Sequence, residues 1–280
     1  ELDLPSRWLL SRLNRLVANV QSLFDAYQYG EAGRQIRAFM WDEFAPWYLE
    51  ISKYPLYEGD DTTRKRAQRV LVHALDTALR LLHPFMPYAT EEMWSFLPVE
   101  GEALIIAQWP QADDAYISDE AEAEMGVLMD MVRNIRDIRS QYQSSGLQPS
   151  DKIKALVMPG SHRENIATYA HVFSRLCNTP EIELLPDDAP VPEQAATTVI
   201  NDVSVFIPLA EMVDFAAECE RLRKEQDNID NQIKRSEGML ANENFVNRAN
   251  PDVVQRERDK LADLQAASEQ NTKRIADMCG

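Results

Sequence analysis

Residues 6–27 read SRWLLSRLNRLVANVQSLFDAY, and their spacing decides the class of fold. Leu9, Leu10, Leu13, Leu16, Val17, Val20, Leu23, Phe24 and Tyr27 recur every three or four positions, the apolar stripe of an amphipathic helix. Ser6 is placed to cap that helix and Gly30 to end it.

Working outward, the same period returns four times. Ile36, Met40, Phe44, Trp47 and Ile51 mark a second helix. Pro46 lies inside its stripe, which predicts a kink or break between Asp42 and Trp47, with Tyr54-Pro55 closing the helix. Asp60-Asp61-Thr62-Thr63 caps a third, carrying Val70, Leu71, Ala74, Leu75, Ala78, Leu79 and Leu82 and stopped by His83-Pro84. Pro87, Thr90, Glu91 and Glu92 open a short fourth helix through Met93, Trp94 and Leu97. After a polar connection over 98–117, a fifth covers about 118–144 with Met125, Leu128, Met129, Val132, Ile135 and Ile138. Five such helices with short connections predict an antiparallel bundle over residues 1–146.

From Gly146 the pattern changes. Residues 152–158 read as a strand ended by Pro159-Gly160, residues 161–177 as a helix, and 181–185 as a second strand. Residues 195–208 read as two strands turning at Asn201-Asp202. Residues 147–210 are therefore expected to form a small α+β module.

From 211 to 280 the period shifts again. Phe215, Cys219, Leu222, Gln226, Ile229, Ile233, Ser236 and Leu240 are spaced four, three, four, three, as in a heptad seam. Residues 242–250 interrupt it, and Asn250-Pro251 starts a second run through Val254, Glu257, Leu261, Leu264, Ser268, Asn271, Ile275 and Met278. Two helices of about 30 residues, each roughly 45 Å long, predict an antiparallel coiled-coil hairpin. Gln226, Ser236, Glu257, Ser268 and Asn271 make its seam weakly apolar, so a protruding arm ordered by a partner is expected. The whole reads as mainly α, with a bundle, a small α+β module and a coiled-coil arm.

Composition agrees. The 280 residues are 45% apolar and 27% charged, enough to bury a sizeable core and exclude wholesale disorder. No stretch approaches the roughly 18 apolar residues of a membrane span. The first five residues, ELDLP, resemble neither a natural start nor a secretory signal, so the chain is expected to be cut from something longer. The formal net charge is −17, with −6, −7 and −4 over residues 1–115, 116–210 and 211–280. Acidity this evenly spread argues against non-specific nucleic-acid binding while leaving room for a local basic site. Cys177, Cys219 and Cys279 lie far apart without a C-x-x-C pair. They predict neither a zinc site nor a disulfide framework, and a reducing cytoplasm is the simplest home.

Catalytic signatures are missing: no phosphate-binding loop, no dinucleotide fingerprint, no H-E-x-x-H. His73 and His83 read as core or capping residues, Cys219 as a small buried hydrophobe, and Glu91-Glu92 and Asp187-Asp188 as solvated helix-start and loop acids. Neither a catalytic centre, nor a metal, nor a cofactor is expected here. What remains are local cations. Arg7, Arg12 and Arg15 flank Trp8, Arg64-Lys65-Arg66 and Arg69 crowd one helix start, and Arg133, Arg136 and Arg139 recur on another. On the arm, Lys234-Arg235, Arg248, Arg256, Arg258 and Lys260 fall near one end of the hairpin. Solvation or pairing with acids four residues away is the ordinary fate of such charges. Trp8 and Phe245, beside cations, have the chemistry to stack on unpaired bases.

Three segments resemble the C-terminal part of the valyl-tRNA synthetase family. Arg7-Trp8-Leu9-Leu10-Ser11-Arg12-Leu13-Asn14, Phe44-Ala45-Pro46-Trp47-Tyr48-Leu49-Glu50 and residues 81–94, LLHPFMPYATEEMW, are similar to the anticodon-binding bundle shared with the isoleucyl, leucyl and methionyl enzymes. Residues 207–225 and 240–249 are similar to the valyl family's C-terminal arm. Two positions depart from the family pattern: Ala45-Pro46 stands where Cys-Asp is expected, and Asn250-Pro251 where Ala-Pro is expected. The resemblance covers essentially the whole chain. It implies a bundle that holds the anticodon stem and loop of a valine-accepting tRNA and an arm against the outer corner of that tRNA. It also implies that absent catalytic and editing domains join valine to tRNA with ATP. On this basis Arg7, Trp8 and Arg12 are the bundle candidates, and Lys234, Arg235, Arg248, Arg258 and Lys260 the arm candidates. A cytoplasmic monomer is expected. The competing reading is a coiled-coil scaffold for protein partners, its cations merely solvated.

Overall fold

The first helix starts earlier than its Ser6 signal. In the computed structural model, which describes residues 2–143, 146–192, 195–208, 215–242, 245 and 250–279, α1 spans Leu4–Asp25. Its cap is Asp3, whose carboxylate accepts the Ser6 N–H at 3.0 Å. Pro5 fits the first turn because its missing donor would have had no helical partner. Ser6 is instead buried, its Oγ sharing a 2.9 Å hydrogen bond with the Tyr48 hydroxyl. The helix also ends before Gly30. Tyr27 takes a left-handed conformation (φ 60°), while the Tyr27 and Gln28 amides donate back to Phe24 and Leu23. Gly30 thus falls in the first turn of α2 (Tyr29–Ala38).

Pro46 does not break the second helical run. A π-helical segment, Phe39–Tyr48, contains it and passes directly into α3 (Leu49–Tyr57), with the Leu49 amide donating five residues back to Phe44. Wider turns accommodate a residue that lacks a donor and crowds the preceding carbonyl. Pro55 lies inside α3, which continues to Tyr57. α4 (Asp61–Leu82) is capped by Asp60, which accepts the Thr63 N–H at 2.8 Å. Arg64 fastens the α3–α4 turn by donating to the Leu56 and Gly59 carbonyls, each at 3.0 Å. α5 (Pro87–Ser95) follows, and its Glu91 carboxylate accepts the Leu104 and Ile105 amides, holding the turn at Leu104–Ile106. Leu79, Trp94 and Leu104 form a small core there. α6 (Asp119–Tyr142) completes the helices of this region.

The bundle core follows most of the expected stripes, although Tyr27 of the first is 80% exposed and Leu81, outside the expected stripe of the third helix, is fully buried. Leu9, Leu13 and Val20 of α1, Ile36 of α2, Ala74, Leu79 and Leu81 of α4, and Met125, Leu128, Val132 and Ile135 of α6 are at most 2% exposed. Each large apolar side chain so buried contributes about 1.5–3 kcal/mol.

The α+β segment contains β1 (Lys154–Met158), α7 (Arg163–Thr168), α8 (Ala170–Cys177), β2 (Glu181–Leu184), β3 (Ala195–Ile200) and β4 (Val203–Pro208). The sheet order is β2-β1-β4-β3, and β1 pairs parallel with β2 in the register Lys154↔Glu181 to Val157↔Leu184. The β1–β2 crossover carries the helices, as a parallel pair requires. The single helix expected over 161–177 is divided at Tyr169, whose hydroxyl accepts the Leu4 amide at 3.0 Å. Asn201 makes the β3–β4 turn with φ 51°.

The arm is a pair of helices, α9 (Phe215–Ala241) and α10 (Pro251–Cys279), packed along their length. Asn250 caps the second, accepting the Asp252 N–H at 2.9 Å. Polar layers occupy the seam: Ser236 donates to Glu257 at 2.6 Å, Gln226 to Ser268 at 2.7 Å, and Asn271 to both the Leu222 carbonyl and Gln226 at 3.0 Å.

One sequence expectation is corrected here. Cys219 is not a free buried hydrophobe but is disulfide-bonded to Cys279. The 60-residue separation conceals the pair in the sequence, whereas the hairpin brings their Cα atoms to 5.9 Å. Cys177 lies outside this bond, buried, with its Sγ donating to the Phe173 carbonyl at 3.1 Å.

Backbone packing divides the chain into two compact units. One comprises Glu1–Arg136, Lys152–Ala189 and Thr198–Val205; the other comprises Asp137–Asp151, Pro190–Thr197 and Phe206–Gly280. Among the described residues no helix is long and apolar enough to cross a membrane.

Candidate nucleic-acid interface

Cations bind phosphate only where carboxylates of the same protein have not already taken them. Arg7 donates to Glu120 at 2.9 Å. Trp8 is 3% exposed, its ring in the core rather than available to a base. Arg12 grips Glu43 with two bonds, at 2.7 and 2.8 Å, and reaches Glu122 at 3.2 Å. The hydrogen bond to Glu43 raises the Arg12 pKa above its ordinary value, outweighing the opposing effect of burial. Arg15 binds Glu122 and Asp119. Burial pushes Glu122 up, yet hydrogen bonds from Ser11, Arg15 and Arg12 hold its carboxyl below the usual range. Ser11 also accepts the Ser118 amide, and Asn14 accepts that of Asp113. The cation-rich start of α1 is therefore a polar lacing between α1, the π segment and the region around 113–122. The structure makes Arg7 and Arg12 parts of that lacing and puts Trp8 in the core behind it.

Other cations of this unit remain open. Arg37, Lys65 and Arg69 are exposed, with no ion pair among the described residues. Lys65, Arg69 and His73 recur every fourth residue on α4, lining with Gln68, Val72, Pro98, Val99 and Asp76, whose carboxylate is held by Arg80 and Trp94, an open groove of about 430 Å³. Burial lowers the His73 pKa and so favours the neutral imidazole. Trp47 is buried, its ring covered by Arg133 at 5.2 Å and Arg136 at 6.0 Å. Trp41, one turn beyond Arg37, is 66% exposed. Sequence reasoning singled out the Lys65–Arg69 cluster without selecting it and passed over Arg37. Their four-residue spacing from each other or from an aromatic is the signal that marks them.

On the arm, Lys234, Arg235, Arg256 and Arg258 are exposed, with no ion pair among the described residues; Lys260 lies 3.5 Å from Glu257. The Ser236–Glu257 bond ties the two helices at this level, so Lys234-Arg235 and Arg256 to Lys260 stand at similar heights and form one basic band. Arg248 lies outside the described residues. Among the described residues no cluster of His, Cys, Asp or Glu is arranged to hold a metal ion.

Comparison with known proteins gives this geometry a context. Residues 6–155 match the model of the anticodon-binding domain of tRNA ligases, and residues 214–279 that of the valyl-tRNA synthetase tRNA-binding arm. The chain is 36% identical over 280 residues to a valine–tRNA ligase of Enterococcus faecalis, covering 99% of this chain and 31% of the relative. It is 34% identical over 283 residues to that of Bacillus subtilis, covering 100% and 32%. A third valine–tRNA ligase, from Geobacillus stearothermophilus, is 35% identical over 280 residues, covering 99% and 31%. The chain thus spans about a third of the length of the curated relatives it matches. With more than half of its residues in the bundle match and the arm match following, the chain belongs to the anticodon-binding domain family of tRNA ligases, in the branch that carries the valyl-tRNA synthetase tRNA-binding arm.

Proposed function

We propose that this chain is the tRNA-reading C-terminal part of a valine–tRNA ligase. The bundle holds the anticodon stem and loop of a valine-accepting tRNA, and the arm lies against the outer corner of the same molecule. The remaining two-thirds of the ligase joins valine to tRNA with ATP. The observation that carries this reading is the succession of an anticodon-binding bundle and a tRNA-binding arm in one chain. The basic band of the arm supports it, because Lys234, Arg235, Arg256, Arg258 and Lys260 are cations on a body of net charge −17. Contacts of this kind position the RNA through phosphate and shape, leaving sequence to be read at the unpaired anticodon bases. On the bundle we assign the RNA-facing role to Arg37, Lys65 and Arg69, with Arg7, Trp8 and Arg12 holding α1 in place behind them.

The chain acts as a cytoplasmic monomer in this reading. The seam side chains Gln226, Ser236, Glu257, Ser268 and Asn271 bond between the hairpin's own two helices, so the pairing does not need a second coiled coil, and the scaffold alternative is not favoured. Fluorescence anisotropy with labelled valine tRNA, at low and moderate salt, tests the proposal. Binding should prefer valine tRNA over an unrelated tRNA. An Arg235→Glu/Arg258→Glu variant should weaken it at least about tenfold and flatten the logarithmic salt slope by about 1.5, the phosphate share of two cations. Equal affinity for both tRNAs, or an unchanged slope in the variant, defeats the assignment.

A further inference from the structure

The two bonded cysteines stand at the open end of the hairpin. Cys219 lies near the start of α9 and Cys279 ends α10. Both are half-buried, within reach of a small thiol, whereas Cys177 is buried at 4% with its Sγ donating to the Phe173 carbonyl. Among the described residues of the two helices only Leu222 and Val254 are buried apolar side chains. The layer next to the disulfide holds the buried Leu222, and one layer further along Asn271 and Gln226 are bonded to each other and to Leu222 and Ser268. Polar seam layers fix register at a cost in stability. A cross-link between residues 60 apart removes freedom from nearly the whole arm in its unfolded state. The covalent tie therefore adds to the order that the seam gives this end. In a reducing compartment, the home assigned above, disulfides are usually transient and redox-sensing.

We propose that Cys219 and Cys279 form a reversible dithiol–disulfide site that sets how firmly the base of the arm is closed. Its reductant is a dithiol and its oxidant a low-molecular-weight disulfide such as glutathione disulfide. In the reductive step a thiolate of the dithiol attacks one protein sulfur, the protein S–S bond breaks and a mixed disulfide forms. The second thiolate of the reductant then displaces that sulfur. Two electrons pass to the protein, the reductant leaves as its own disulfide, and each cysteine sulfur takes up one proton. Oxidation runs the other way: glutathione disulfide accepts the two electrons and departs as two thiols.

The test uses the full chain equilibrated in buffers that run from oxidising, with glutathione disulfide, to reducing, with dithiothreitol as the dithiol. Native alkylation read by mass spectrometry reports the thiols, and amide hydrogen exchange reports the helix ends. Oxidising buffer should protect Cys219 and Cys279 from alkylation, and reduction should expose both. Exchange around 219–226 and 268–279 should then quicken about tenfold or more, while exchange in α1 and α4 stays unchanged. Cys279→Ser and Cys219→Ser should each exchange like the reduced chain in every buffer, and Cys177→Ser should keep the full response. The idea is overturned if both cysteines remain alkylatable in oxidising buffer. Equal exchange in the two redox states, or serine variants that match the oxidised chain, also overturns it. No RNA enters the readout, so the outcome is independent of the tRNA reading. Defined buffers likewise separate it from the question of compartment.

Discussion

Arg12 donates to both oxygens of Glu43 and to Glu122, so replacing it with alanine strands two carboxylates at once. The side chain is 37% exposed, which screens the loss, and Arg12→Ala is expected to cost about 1–2 kcal/mol in urea unfolding. The pH dependence follows from Glu122, whose folded pKa lies below its ordinary value of 4.5. A depressed carboxylate contributes stability that is complete above that ordinary value and lost as pH falls through the lower folded one. The acid limb of the stability profile should therefore be shallower in Arg12→Ala than in the parent chain. Trp8, 3% exposed, makes the contrast with an RNA-stacking residue measurable. Trp8→Ala should destabilise the fold by about 3–5 kcal/mol, through lost burial and the cavity left behind. Weakened tRNA binding with unchanged stability would instead make Trp8 an RNA contact and contradict its place in the core.

Among the elements, the arm shows how far local pattern reaches. Its two helices, the interruption between them and the Asn250 cap are all legible, because heptad spacing and a capping Asn-Pro are properties of neighbouring residues. The start and end of α1 are less so. Asp3 and Ser6 are both competent caps, and only Asp3 has its carboxylate within reach of an unpaired helical amide. Pro46 was legible as a perturbation but not as a π segment, since widening the helix and breaking it both relieve the same clash. The polar seam invites its own test. Asn271 is 4% exposed and bonded to Leu222 and Gln226, a layer that fixes register rather than adding burial. Asn271→Leu should raise the melting temperature of the arm and, by loosening pairing specificity, yield a concentration-dependent dimer in sedimentation velocity. A strictly monomeric variant of lower melting temperature would contradict this account.

For the molecule as a whole, the balance of charge governs association. A net charge of −17 repels polyanions at long range, so binding to RNA must be local and strongly salt-dependent. The candidate interface was only half legible for that reason. The band at Lys234-Arg235 and Arg256 to Lys260 follows from two sequence positions and a hairpin. The cations of α1 looked equally promising until Glu43, Glu120 and Glu122 were found beside them.

By itself, the sequence determined the mainly helical class, the small sheet with its Asn201 turn, the coiled-coil hairpin and the family motifs. Each of these rests on periodicity or on residues adjacent in the chain. Tertiary structure alone decided that Arg12 is spent on Glu43 and Glu122, 31 and 110 positions away, that Trp8 is core, and that Cys219 meets Cys279. Which cation remains free and which cysteine finds a partner depend on distances across the fold, and no local pattern carries that information.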